Sequence, residues 1–165
     1  MEIETSRIVE ILRSRKLVDG QTHNFYYYPA RFSPELAKEI ISTFSSTGDW
    51  FFDPFMGGGT SIVESLALGR YAIGVDINSL AWFVTLGKTT PLTSSDHSQL
   101  QEWASNNEFD HPEICPSLSI AELTKHFPNH FLIFLDGVLQ STKDIKSQRA
   151  KRLARAAILK HIRAS

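Results

Sequence analysis

The sequence predicts an α/β fold organised around one βαβ unit, and three observations carry that expectation. Trp50-Phe51-Phe52-Asp53 is a short apolar run ending on a carboxylate, the pattern of a buried strand. It breaks into Gly57-Gly58-Gly59-Thr60, after which Ile62, Val63, Leu66 and Ala67 recur at helical spacing. Tyr71 to Ile77 then reads as a second buried strand ending in an acid, Asp76. Strand, glycine turn, helix, strand and acid is the layout of a nucleoside-binding unit, in which the glycines admit a ligand close to the backbone and the acid meets ribose hydroxyls.

Taken in order, residues 4–16 predict a helix with Ile8, Ile11 and Leu12 inward and Arg7, Arg13, Arg15 and Lys16 outward, stopped by Asp19-Gly20. An irregular aromatic stretch, Phe25-Tyr26-Tyr27-Tyr28, follows. Ser33 is an N-cap, Pro34 fits the first helical position, and Glu35 complements the positive end of the helix dipole. Leu36, Ile40, Ile41 and Phe44 form the apolar stripe of that helix, and Gly48 closes it. Beyond the second strand, Ser79 to about Leu86 predicts another helix. Ser94, Ser95 and Asp96 offer caps for one running through Leu100 and Trp103. Asn106 to Pro116 reads as a loop, and Ser117 or Ser119 starts a helix ending near Phe127-Pro128. The His130–Leu139 run fits a strand or a helix, and its length favours helix. The final helix has Leu153, Ala157, Ile158 and Ile162 along an apolar edge, with Lys151, Arg152, Arg155 and Arg163 elsewhere.

Composition narrows the class. The length suits one domain with a sizeable core. No apolar run is long enough to span a bilayer and the first residues lack a leader pattern, so a cytoplasmic protein is expected. Cys115 is the single cysteine, which excludes an internal disulfide. The six histidines lack ligand spacing, and no metal is expected. The net charge of −1 is unevenly spread: residues 143–163 hold eight of the seventeen basic residues and one acid, Asp144. A basic terminal segment on an acidic body points to nucleic acid, with Arg152 and Arg155 as the candidate phosphate contacts, although a solvated helix face accounts for it nearly as well.

The glycines do not follow the G-x-G-x-x-G spacing of dinucleotide binders. Asp53-Pro54-Phe55-Met56-Gly57-Gly58-Gly59-Thr60 instead closely resembles the S-adenosylmethionine motif of the amino-group DNA methyltransferases, which modify adenine N6 or cytosine N4. Tyr28-Pro29-Ala30-Arg31-Phe32-Ser33-Pro34 is similar to a second segment of the same family, and Lys88-Thr89-Thr90-Pro91-Leu92 also has its look. The resemblance implies a Rossmann-like class I methyltransferase fold, incomplete here, with a C-terminal helical insertion. It implies S-adenosylmethionine as cofactor and DNA as partner. On that reading residues 1–92 are the cofactor-binding α/β portion, and 93–165 a helical segment with a basic C-terminal helix. Phe32 and Ser33 would hold the carboxylate end of the cofactor, Asp53, Phe55, Gly57 and Gly59 its methionine part, and Asp76, followed by Ile77, its ribose. Thr60 caps the next helix or touches the cofactor, and Tyr28 is as suited to lining the pocket as to packing beside it. Asp53 has the alternative of satisfying turn amides at the strand end.

The family holds the target amine with an acid/Asn/Ser-Pro-Pro-aromatic loop, and no Pro-Pro pair occurs in these residues, so the catalytic group is unknown. The sequence therefore reads as the cofactor-binding portion of a methyltransferase, whether a split subunit, a truncated product or a fragment. A second polypeptide supplying the loop and target recognition is one expectation. The alternatives are a non-catalytic cofactor-binding subunit and, further off, a nicotinamide-dependent oxidoreductase.

Overall fold

A computed structural model describes residues 5–14, 20–29, 32–106 and 127–164. The expected helix from Ser117 or Ser119 as far as residue 126, the 106–116 loop beyond its first residue, Arg15, Lys16, Asp19, Arg31 and Cys115 lie outside the described residues. The chain forms two compact units, Met1–Thr90 and Pro91–Ser165.

In the first unit α1 spans Thr5–Arg13, a 3₁₀ turn His23–Phe25, and α2 Pro34–Phe44. Strand β1 is Trp50–Asp53, α3 Thr60–Ala67, β2 Tyr71–Gly74 and α4 Ser79–Thr89. The α2 start follows the local chemistry. The Ser33 hydroxyl accepts the Leu36 amide at 3.4 Å, and Pro34 sits where no intrahelical donor is needed. Leu36, Ala37 and Ile41 are buried, whereas Phe44 and, on α1, Leu12 are exposed against expectation. Helix α4 runs on past Leu86 to Thr89 because Thr85 and Lys88 are both buried by tertiary contacts.

Strands β1 and β2 pair in parallel, with Trp50 opposite Tyr71 and Asp53 opposite Gly74. The second strand is shorter than its apolar run. The ladder ends at Gly74, the Val75 amide donates to Asp53 O and the Met56 amide to Val75 O, and Asp76 enters a turn. Helix α3 packs on both strands, and α2, in turn, packs on α3. The expectation of buried strands fails on one face. Phe51, Asp53, Ala72 and Gly74 are half-buried, but Trp50, Phe52, Tyr71, Ile73 and Val75 are exposed, Trp50 by 71%. Trp50 and Tyr71 cover each other instead, stacked with ring centroids 5.0 Å apart. A parallel sheet normally carries helices on both faces. Among the described residues only one face of this one is covered.

The second unit contains α5 (Ser94–Asn106), α6 (Asn129–Ser141), a 3₁₀ turn (Thr142–Asp144) and α7 (Gln148–Ala164). The 130–139 run is helical, as its length suggested. The core holds Ile145, Ala150 and Ala154 with Leu100 and Trp103 packed on them. Small alanines, with Ala156, are the buried positions of α7, and the larger Leu153, Ile158 and Ile162 are half-buried. The α5 cap is Thr93, one residue before the expected serines. Its hydroxyl accepts the Asp96 amide at 3.2 Å while Asp96 accepts the Thr93 amide at 2.7 Å, a reciprocal cap. No described helix is long and apolar enough to cross a membrane.

Asp96 also joins α5 to the start of α7. The Ser147 hydroxyl donates to it in a short hydrogen bond, and Arg149 approaches to 3.3 Å. The Ser147 hydroxyl first, then the Thr93 amide and hydroxyl, and finally the Arg149 charge hold the Asp96 pKa at about 2, below its ordinary 3.8. A depressed carboxylate stabilises the fold above its unfolded pKa and loses that contribution as pH falls through the folded one. The expected result is a loss of helical circular dichroism between about pH 4 and pH 2, and a flatter profile in Asp96→Asn. Identical acid profiles for the two proteins would rule the contribution out.

Candidate cofactor site

The strand end, the glycine turn and the aromatic stretch before α2 meet around a cavity of about 630 Å³ in the first unit. Tyr28, Pro29 and Phe32 form one wall, and Ala37, Ile40 and Ile41 of α2 lie behind it. Phe51, Phe52 and Asp53 come from β1, Phe55 to Gly58 from the turn, and Thr60 and Ser61 from the first turn of α3. Apolar walls with a few placed polar groups suit an organic molecule with a charged end.

The turn is built from local chemistry. Gly57 and Gly59 have φ of +49° and +73°, the left-handed region that side chains disfavour. Gly58 is required by packing: a Cβ there would lie 2.6 Å from the Cβ of Tyr28. The Tyr28 ring therefore rests against the turn, and its hydroxyl accepts a hydrogen bond from Asn78 Nδ2 at 3.2 Å. Asp53 accepts the Phe55 amide on Oδ1 at 2.9 Å and the Ser61 hydroxyl on Oδ2 in a short contact. It does what a strand-end acid does for a turn, and each oxygen retains a lone pair.

Of the residues singled out from sequence, Tyr28, Phe32, Asp53, Phe55, Gly57 and Thr60 line this cavity. Ser33, Gly59, Asp76 and Ile77 are not among its walls. Ser33 faces the first turn of α2, and Gly59 is the residue before α3, packed against Thr85. Asp76 is half-buried. Its Oδ2 accepts the Gly57 amide at 2.9 Å and its Oδ1 the Asn78 amide at 2.8 Å, so it ties the second strand end to the glycine turn. Ile77 is fully exposed beside it. In the second unit Arg155 is exposed and donates through Nε to Thr142 Oγ1 at 3.0 Å, while Arg152 is half-buried.

Several residues at the site had no sequence signal. Ser61 joins Asp53 only because α3 starts at the strand end. His23 and Glu64, both buried, meet at 2.7 Å across 41 positions. Thr85 and Lys88 reach the turn from α4, Lys88 donating to Gly58 O at 2.8 Å. Sequence placed Lys88 in a segment after the helix.

With this geometry in view, a family model falls on the same stretch. A family model described as DNA methylase, for the N6 and N4 amino-group enzymes, matches residues 4–81. Residues 4–81, a little under half of the chain, thus match the model of that family. The type II methyltransferase M.MvaI of Kocuria varians is 43% identical over 81 residues, 47% of this chain and 18% of its own length. M.BsoBI of Geobacillus stearothermophilus is 41% identical over 71 residues, 39% of this chain and 14% of that protein. M.MjaII of Methanocaldococcus jannaschii is 34% identical over 67 residues, 41% of this chain and 13% of that protein. The matched part therefore spans less than a fifth of each of these methyltransferases. No solved structure matches the chain.

Proposed function

We propose that this chain is the S-adenosylmethionine-binding portion of a DNA methyltransferase acting on the exocyclic amine of adenine or cytosine. The observation that carries the reading is the cavity where Tyr28, Pro29, Phe32, Asp53, Phe55 and the glycine turn converge, within the stretch matched to the methyltransferase family. The residues fit the group. Asp53 is the carboxylate for the cofactor's amine, and the N-terminus of α2 at Phe32 and Ser33 suits its carboxylate. Gly57 lets the methionine chain approach the backbone, Gly59 permits the bend that aims it, and Phe55, Tyr28 and Thr60 close the sides. Asp76, with one lone pair left on each oxygen, takes the ribose hydroxyls beside Ile77. When bound, the cofactor supplies the methyl group.

The side chains orient and enclose; none of them is positioned on this reading to hold a target amine. With no Pro-Pro pair in the 165 residues, the amine acceptor comes from outside them. A second polypeptide bringing the catalytic loop and target recognition meets that need. The open aromatic face of β1 and β2 favours it, since Phe52, at the cavity, belongs to both surfaces. On that account these 165 residues bind the cofactor without themselves transferring its methyl group.

Calorimetric titration of the intact chain with S-adenosylmethionine is expected to give one site, weakened about tenfold in Asp76→Ala, the worth of one charge-assisted hydrogen bond. Equal affinities would remove Asp76 from the site, and binding of a nicotinamide cofactor in its place would overturn the reading. A methyl-transfer assay on DNA with the chain alone is expected to show no turnover. DNA contact is assigned to α7. Replacing Arg152 and Arg155 by Gln is expected to reduce the salt slope of DNA binding by about two, one per lost phosphate contact. An unchanged slope would end that role.

A further inference from the structure

We propose that Thr85 and Lys88 of α4 are positioning residues for the cofactor pocket, bracing the glycine turn from behind by holding two consecutive carbonyls. The proposal rests on the cofactor reading above and extends it to residues outside the cavity.

The turn needs such support. Gly57 and Gly59 occupy left-handed backbone, and three successive glycines leave the chain more freedom than any other tripeptide. Thr85 and Lys88 lie three residues apart, on one face of α4. The Thr85 hydroxyl donates to Gly57 O at 3.2 Å and the Lys88 ammonium to Gly58 O at 2.8 Å. On the strand side, Asp76 takes the Gly57 amide. The Gly57 residue is thus held at both its N–H and its C=O, and the planar trans peptide turns the Gly58 amide away from α4. Gly59 completes the fit, because a Cβ there would lie 2.5 Å from Thr85 Oγ1 and would push α4 off the turn.

Lys88 is only 6% exposed. A buried ammonium is costly unless its donors are satisfied, and a charge-assisted bond to a carbonyl is stronger than a neutral one. Placing it behind the turn fixes which way the Gly58 peptide group faces. Gly57 and Gly58 both line the cavity, so the wall a ligand meets is set by side chains on its far side.

The test uses the intact chain, with S-adenosylmethionine affinity by calorimetry and hydrogen exchange of the Gly58 and Gly59 amides. Thr85→Val and Lys88→Met, which keep size and remove the donor, are expected to raise Kd about tenfold and to speed both amides by a similar factor. Thr85→Ser keeps the hydroxyl and is expected to stay within about twofold of the parent. Folded Thr85→Val with unchanged affinity and unchanged exchange would overturn the bracing, as would a loss that merely tracks the unfolded fraction. If Lys88→Met does not fold, the Thr85→Val and Thr85→Ser pair decides alone. If the parent chain binds no S-adenosylmethionine, the cofactor reading falls, and glycine exchange still decides the bracing: faster in Thr85→Val supports it, unchanged refutes it.

Discussion

Gly59→Ala is expected to destabilise the first unit by about 2–5 kcal/mol, from two costs that add at one atom. The residue has φ +73°, where an L side chain loses about 1–2 kcal/mol. Its new Cβ would lie 2.5, 2.6 and 2.9 Å from Thr85 Oγ1, Cγ2 and Cβ. Thr85 is buried and its hydroxyl is engaged with Gly57 O, so it cannot swing aside without giving up that bond. Overpacking of this kind costs about 1–3 kcal/mol. Gly137→Ala is the contrast. Gly137 lies within α6, a Cβ there would meet nothing within 4 Å, and alanine should stabilise the helix by about 0.5–1 kcal/mol. Urea denaturation of the two variants measures both signs. A Gly59→Ala protein as stable as its parent would mean that the turn and α4 are not in contact as described.

The second large effect is expected at His23 and Glu64. His23 is 1% exposed and Glu64 6%, and their 2.7 Å contact fastens the 3₁₀ turn before the aromatic stretch to the middle of α3. Removing one partner leaves the other's polar atoms buried, at about 1–3 kcal/mol, or about 3–5 kcal/mol where the pair is ionised. His23→Leu and Glu64→Leu should each be destabilising by those amounts. The double variant, which removes both polar groups, should cost less than the sum of the two, with a coupling above about 1 kcal/mol. Additive losses in this cycle would show that the two side chains do not depend on each other. The site should feel the change as well. Thr60 and Ser61 of the same helix line the cavity, and the aromatic stretch that His23 precedes supplies Tyr28.

The two predictions share a geometry. In both, a segment on the cavity wall is held by a side chain from an element that never reaches the cavity. His23, Glu64, Thr85 and Lys88 all lie outside the cavity lining. The exposed sheet face is a separate matter, because its five apolar side chains have solvent where a parallel sheet usually has helices. Phe52 belongs both to that face and to the lining of the cavity.

By itself the sequence determined whatever depends on neighbours along the chain. Ser33-Pro34-Glu35 specified the start of α2, because a cap acts on amides three residues away. Three glycines between a strand and a helical pattern specified the turn, since only that residue accepts such φ values cheaply. The family octapeptide followed from the same local run. Tertiary structure alone decided the rest. Trp50-Phe51-Phe52 is apolar at every position, so its alternation could not reveal that one face would lie open. Asp76 stood out as an acid at a strand end, yet only the paired strands bring it to the Gly57 amide. The His23–Glu64 and Lys88–Gly58 contacts join positions 41 and 30 residues apart. No period of 2 or 3.6 encodes such pairs; they form where packing leaves a buried polar group in need of a partner.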